Sequence, residues 1–266
     1  KNISREKREK AIQSIRIAEA YDAIKNHGSG DAMTGLMNLM VKDISGKGNL
    51  LNVDSLGKAY SQKYMSKWAD ALSAFRTRTF GLSQDEEGLN NFIRAVFGED
   101  VGDAKITKAA QDWLKLVDDM RSDFNGVGGS ISKKDDFLLP QNHDMRSVKN
   151  AKFKDWRAFV INKLDRNKMV DDQGRVLSDA NFEDSLEYVY ETISTGGLNK
   201  AKDFTVRNLG TKLSRKGSEK RFLHFKDAES WMAYQNKFGK GDILTTLTDH
   251  MQAMGNDTAL MRVFET

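Results

Sequence analysis

The sequence predicts an all-α chain, a multi-helix array joined by irregular linkers. Three observations carry that prediction. Apolar residues recur at three- and four-residue steps in one segment after another. Pro140 is the only proline in 266 residues, and so few helix breakers suit long helices better than an all-β fold with many tight turns. The glycines cluster where the periodic segments stop, the place where helices take their C-terminal caps.

Residues 4–26 read as a helix with the stripe Ile12, Ile15, Ala18, Ala20 and Ile24, ended by His27, Gly28 and Gly30. Asp31 is placed to cap a short helix carrying Leu36, Met37, Leu39 and Met40, which is apolar on most sides and so suits burial or an interface. Gly46, Gly48 and Asn49 mark a loop. A long helix is expected from about Asp54 to Phe80, with Leu56, Tyr60, Tyr64, Trp68, Leu72 and Phe75 near helical period. Ser83 and Glu86 form a capping box for the next, which carries Leu89, Phe92, Ile93, Val96 and Phe97 and stops at Gly98. Another helix is expected over about Thr107–Phe124, striped by Ala110, Trp113, Leu114, Val117 and Met120, with Gly126 as its stop.

Residues 126–144 change character and divide the chain into a helical part, 1–130, and a helical module, 131–266. Gly126, Gly128, Gly129, Ser130 and Ser132 read as flexible, and Phe137-Leu138-Leu139-Pro140 reads as extended because the residue before proline avoids helix. A helix is expected around Phe153–Leu164. Residues 169–177, with Asp171-Asp172-Gln173-Gly174 between Met169-Val170 and Val176-Leu177, read as a small β-hairpin or a plain turn. Ser178 opens a helix closed by Gly196 and Gly197, Asp227 opens one closed by Gly239, and Asp242 caps the last. Residues 198–222 are polar, basic and weakly periodic, an irregular arm.

Apolar residues at 39% and charged residues at 30% exclude a disordered chain. The absence of cysteine excludes disulfides and thiolate metal sites. No apolar run approaches the roughly 20 residues that span a bilayer, and no secretory leader opens the sequence, so the segment reads as soluble. Lys1 stands where an initiator Met would, and Thr266 directly follows an apolar run. Both ends read as cuts in a larger polypeptide.

Net charge is a mild +4 but uneven. Residues 85–123 lean acidic. Residues 199–226 carry Lys200, Lys202, Arg207, Lys212, Arg215, Lys216, Lys220 and Arg221, then Lys226, against Asp203 and Glu219. Such asymmetry serves contact between copies or with nucleic acid, or is simply a solvated face. Those first eight basic residues are the candidates for nucleic-acid contact.

Motifs for chemistry are sparse. None of His27, His143, His224 and His250 has zinc-helix spacing. His143 beside Asp144 is the most suggestive pair for acid–base work, although a histidine in a loop after proline more often serves to hold that loop. His224, between apolar neighbours, reads as a satisfied core histidine. Gly46-Lys47-Gly48 and Gly126-Val127-Gly128-Gly129 do not complete a phosphate loop. Asp171, Asp172 and Gly174 lack the spacing of a calcium loop. No cofactor, metal or catalytic residue is expected. The row Tyr60, Tyr64, Trp68 beside Lys63 and Lys67 could stack on bases, but a helical aromatic stripe is more often core. The many methionines suit helix contacts that rearrange.

From about residue 137 onward, an ordered series of short motifs appears. Its members are Leu139-Pro140-Gln141-Asn142-His143-Asp144, Phe153-Lys154-Asp155-Trp156-Arg157, Leu164-Asp165, Tyr190-Glu191-Thr192-Ile193-Ser194-Thr195-Gly196-Gly197-Leu198, and Arg221-Phe222-Leu223-His224-Phe225-Lys226-Asp227-Ala228 with Trp231, Tyr234, Phe238 and Gly239. The series resembles a module of the very large internal virion, or ejection, proteins of tailed bacteriophages. It covers about half the chain. A turn of Gly-Pro-Asn type follows the last helix of that module, and Val263-Phe264-Glu265-Thr266 departs from it.

The resemblance implies a structural, non-enzymatic protein made in the host cytoplasm, packed in the capsid or tail and ejected into the host envelope. Its expected partners are copies of itself, other ejection or portal and tail proteins, phage DNA and, transiently, the envelope. No catalytic residue carries over. Two rivals stand beside this reading: a nucleic-acid-binding module using the basic arm 199–226, and an enzyme centred on His143 and Asp144.

Overall fold

The computed structural model describes residues 14–15, 18–41, 52–73, 86–133, 138–170, 174–198 and 223–264. The protein is an all-α multi-helix array. Residues 18–27 are helical. They are followed by α1 (Ala32–Met40), α2 (Val53–Ser73), α3 (Glu86–Val96), α4 (Ala104–Gly126) and α5 (Met145–Val160). Two short 3-10 turns, Ile161–Lys163 and Arg166–Lys168, lead to α6 (Asp179–Ser194), α7 (Ala228–Phe238) and α8 (Ile243–Phe264).

Caps set many of the boundaries. Asp31 accepts from Thr34 N–H at 2.7 Å, Asp227 from Ser230 N–H at 2.7 Å, Asp242 from Thr245 N–H at 2.7 Å and Ser178 from Asn181 N–H at 3.3 Å. Each satisfies an N–H that has no partner within the helix. Two starts differ from expectation. Asp103 accepts from Lys105 and Ile106 N–H, so α4 begins three residues before Thr107. Asp144 caps α5 at Met145, well before Phe153, and the expected start instead marks a break, where Lys152 has φ 54°. The hairpin at 169–177 reduces to one antiparallel bridge, Val170 with Val176, and a Leu177 N–H to Met169 carbonyl bond of 2.8 Å. Ser83 and Phe75 lie outside the described residues, as do Gly46, Gly48 and Asn49.

One cluster of buried side chains runs from Tyr64 to Met251 and draws on both sides of residue 131. Trp113, Trp156, Tyr64 and Tyr234 are its largest fully buried members. Residues 126–133 are tied back to α4: the Asn125 carboxamide donates to Ile131 carbonyl at 2.9 Å and accepts its N–H at 2.7 Å. Leu116 is more deeply buried than Leu114 or Val117, so the stripe of α4 is rotated from the expected one.

Among the described residues, the most extensive helix pairing is α2 with α8. A Cβ on Gly255 would stand 2.9 Å from the Ser61 main-chain nitrogen and 3.1 Å from the Gly57 carbonyl oxygen. Glycine there lets two backbones meet. Helix 18–27 packs on α1 in the same way: a Cβ on Gly35 would overlap the Ile24 carbonyl, and the fully buried Asn38 amide donates to His27 carbonyl at 3.0 Å. Of the apolar residues of α1, Leu39 is buried, while Met33, Leu36 and Met37 face solvent. Among the described residues, no helix is long and apolar enough to cross a membrane.

Candidate functional site: a polar clasp around residues 138–144

The loop between α4 and α5 is held from several directions. Trp113 of α4 donates its indole N–H to Leu138 carbonyl at 3.0 Å. Leu139 and Pro140 are buried beneath it. The Gln141 amide donates to Leu223 carbonyl at 2.6 Å, and the Asn142 amide to Lys240 carbonyl at 3.1 Å. Asp144 N–H donates to Phe238 carbonyl, one of the last carbonyls of α7, at 2.7 Å. That carbonyl has no partner within its own helix, so the loop serves as its cap.

His143 Nδ1 lies 2.9 Å from the Tyr234 hydroxyl, with the two rings edge to face. Burial pushes the Tyr234 phenol well above the ordinary tyrosine range. The hydroxyl therefore keeps its proton and can donate it to Nδ1, leaving the imidazole proton of a neutral His143 on Nε2. The Asp144 carboxylate accepts from Ser147 Oγ at 2.7 Å and Arg146 N–H at 2.9 Å. Those bonds hold its carboxyl below the usual carboxylate range, the Ser147 hydroxyl contributing most. In this geometry Asp144 is a helix cap and His143 is one side of a buried phenol contact.

The segment Leu223–Lys226 completes the clasp. Lys226 N–H donates to Lys163 carbonyl at 3.0 Å, Asp165 N–H donates to His224 carbonyl at 2.8 Å, and Leu164 bridges Phe225. The His224 ring is half-buried beside this pairing. On the far side Arg157 and Glu183 form a two-pronged ion pair joining α5 to α6. The Arg157 guanidinium holds the Glu183 carboxyl below its usual range.

The eight basic residues singled out in the sequence, Lys200, Lys202, Arg207, Lys212, Arg215, Lys216, Lys220 and Arg221, lie outside the described residues. The aromatic row on α2 is core: Tyr64 and Trp68 are buried, and Trp68 packs edge-on against Trp113 at 5.3 Å. Lys63 and Lys67 pair with Asp123 and Asp119 of α4 at 2.6 and 2.5 Å, fastening two helices. Sequence reasoning did not find Trp113 or Tyr234 as clasp partners. Their indole and phenol tips were the available signal, since a buried Trp or Tyr needs a polar partner.

Beside the clasp lies a cleft of about 410 Å³ between α3, α7 and the start of α8. Neither His143 nor Asp144 lines it. Among the described residues, no group of three or more His, Asp or Glu is placed to hold a metal ion. No family model, curated protein or solved structure matches the chain.

Proposed function

We propose that this chain is a structural segment of a phage internal virion, or ejection, protein that self-associates and supports genome delivery across the host envelope. One observation supports it most. Three of the motifs that carry the resemblance, 139–144, 164–165 and 221–239, meet in the clasp at their described residues. Gln141, Asn142, Leu223, Phe225, Tyr234 and Phe238 all hold the loop or the strand-like pairing beneath it. His143 and Asp144 are engaged by a phenol, a main-chain N–H and a serine hydroxyl. Residues engaged in this way suit a load-carrying module better than the acid–base pair of the rival enzyme reading, which needs a pocket reaching that loop. Light scattering of the purified chain, with and without anionic liposomes, tests the proposal. A defined oligomer, free or on vesicles, is expected. A monomer under both conditions would overturn self-association by this segment.

A second reading, contact with nucleic acid, draws on one further observation. Lys163 and Lys237 both lie over the Phe159 ring, at 4.1 and 4.3 Å from its centroid, and among the described residues neither forms an ion pair. The Lys163 carbonyl accepts the N–H of Lys226, which closes the basic arm in sequence, at 3.0 Å. If these lysines neutralise phosphates, affinity for a DNA oligonucleotide falls steeply with salt. Replacing both by alanine then flattens the slope by about two, one for each phosphate left without its cation.

A further inference from the structure

Helix α5 is broken in its middle without a residue that breaks helices. Lys152 has φ 54° and ψ 159°. That pair lies outside the left-handed helical region that other residues visit, at the edge of a region left essentially to glycine. Among the described residues, Ser29 is the other non-glycine residue with positive φ, and it sits in a Gly-Ser-Gly turn rather than inside a helix. Sharp kinks are almost always made by proline, by glycine or serine pairs, by a bulged turn or by an inserted group. Met145–Val160 holds no proline and no glycine, and Ala151, Lys152 and Lys154 are good helix formers. Lys152 is itself exposed. The local sequence asks for one continuous helix, and the break is imposed from outside it.

The neighbours of the break supply the cause. An i to i+4 bond needs helical angles at the three residues it encloses, so Lys152 disturbs the bonds from the carbonyls of Lys149, Asn150 and Ala151. The Tyr190 hydroxyl of α6 donates to one of those three, the Lys149 carbonyl, at 3.5 Å. The Tyr190 ring packs on the other side of the break, its centroid 5.5 Å from that of Phe153 and 5.7 Å from that of Trp156. A side chain inserted at an interrupted turn is a known cause of a kink. The two halves are also anchored separately. Before the break, Asp144 N–H donates to Phe238 carbonyl and Val148 is fully buried. After it, Trp156 and Val160 are fully buried and Arg157 pairs with Glu183. On a continuous helix Val148, Trp156 and Val160 would fall within about 120° of one another, so the straight form also has a single apolar side.

We infer that α5 has two forms. It is broken at Lys152 while the clasp and Tyr190 hold its halves, and it becomes one helix of about 24 Å when they let go. Straightening swings Met145–Ala151, and with it the 138–144 loop, off the end of α7. Clasp opening and helix straightening are therefore one step, a packed element passing between two discrete arrangements. Strain at Lys152 favours the step. The bonds of Gln141, Asn142 and Asp144 oppose it. The inference depends neither on self-association nor on nucleic acid.

The test uses the whole chain. It contains no cysteine, so cysteines placed at the exposed positions Arg146 and Asn162 take spin labels cleanly. Asn162 lies in the 3-10 turn that continues α5. Sixteen residues of straight helix put the two positions about 24 Å apart, and a bend shortens that. Pulsed electron spin resonance on the otherwise unaltered chain should give the shorter distance. Gln141→Ala and, separately, Tyr190→Ala should each add a longer distance near the straight value, in about a tenth of the molecules or more. Adding Lys152→Gly to either should remove it, because glycine accepts the bent angles and disfavours continuous helix. In the unlabelled chain, Lys152→Gly should raise the folding equilibrium constant by about three- to tenfold, where glycine inside a regular helix lowers it. A Gln141→Ala chain that keeps only the short distance would separate the clasp from the helix and overturn the inference. A lower urea midpoint for Lys152→Gly would make the break unstrained, and would overturn it as well.

Discussion

The α2–α8 seam and the clasp both join stretches of chain far apart in sequence, and they do it by opposite means. At the seam the contact is made of missing atoms. Gly57 and Gly255 bring backbones together, Ala259 is fully buried, and Val53 and Leu56 pack beside it. At the clasp the contact is made of donors and acceptors, with Gln141 and Asn142 reaching main-chain carbonyls 82 and 98 residues away. A seam of this kind has no room for added volume but makes little demand on polarity. A clasp tolerates small changes of shape but not the loss of a hydrogen-bonding atom, because a buried group left without its partner costs more than the bond contributed. Substitutions can separate the two behaviours.

The largest effect is expected beneath the clasp. Trp156 is fully buried and packs against Tyr190 with ring centroids 5.7 Å apart. Trp156→Ala should cost about 3–5 kcal/mol, the usual range for emptying an aromatic site in a core. Urea midpoints measured by circular dichroism would check it. A loss under about 1 kcal/mol, well below that range, would mean that Trp156 does not fill a packed core site.

The seam gives the next largest effect. Gly255→Ala gains about 1 kcal/mol of helix propensity in an exposed helix, yet here the added methyl meets main chain. We expect a net loss of about 2 kcal/mol: against main chain the overpacking cost falls at the upper end of the usual range of about 1–3 kcal/mol, and the propensity gain offsets about 1 kcal/mol of it. Ser61 Oγ also crowds that position. Adding Ser61→Ala should recover less than half of the loss, because the Ser61 nitrogen and Gly57 carbonyl remain in the way. Full recovery would make the seam a side-chain contact and weaken the comparison.

Local structure was legible in the sequence to the extent that local chemistry decides it. The caps at Asp31, Ser178, Asp227 and Asp242 all fall where the residues point to them. Asp103 was missed because Ala104–Ile106 carries one large apolar side chain and no stripe yet. Met145–Ala151 was missed because Val148 is its only buried residue, too few for a period to show. Gly35 and Gly255 read as neutral or unfavourable for helix, and only the approaching partner explains them. The clasp was the least legible. His143 reads in the sequence only as a residue that holds its loop, and its ring nitrogen faces the Tyr234 hydroxyl 91 residues away. A carboxamide that donates to a distant carbonyl leaves no periodicity and no neighbour pattern to read.

That histidine contact supplies a smaller test. Tyr234→Phe preserves the ring packing against Phe225 and Phe238 and removes only the hydroxyl. It should cost about 1 kcal/mol. With His143→Ala, a double-mutant cycle should return a coupling of about 0.5–1 kcal/mol. A coupling near zero would mean that the two groups merely lie side by side.

The smallest effect is a dependence on pH. The Asp144 carboxyl titrates below its ordinary value because Ser147 Oγ and Arg146 N–H donate to the charged form. The unfolded chain therefore takes up this proton at higher pH than the folded one. The cap's contribution is fully present above the unfolded carboxyl value of about 3.9, and it is lost as pH falls through the lower, folded value. Asp144→Ala should lower the urea midpoint at pH 7 and lower it less at pH 3. Asp144→Asn, which keeps an acceptor for the same N–H, should retain much of the midpoint at pH 7 and lose the acid-dependent part. The Gly255 variant removes no titrating group from the seam, so its deficit should be the same at both pH values. If both deficits changed alike between pH 7 and pH 3, the acid sensitivity would belong to the whole fold, and the clasp would have no electrostatic character to set it apart from the seam.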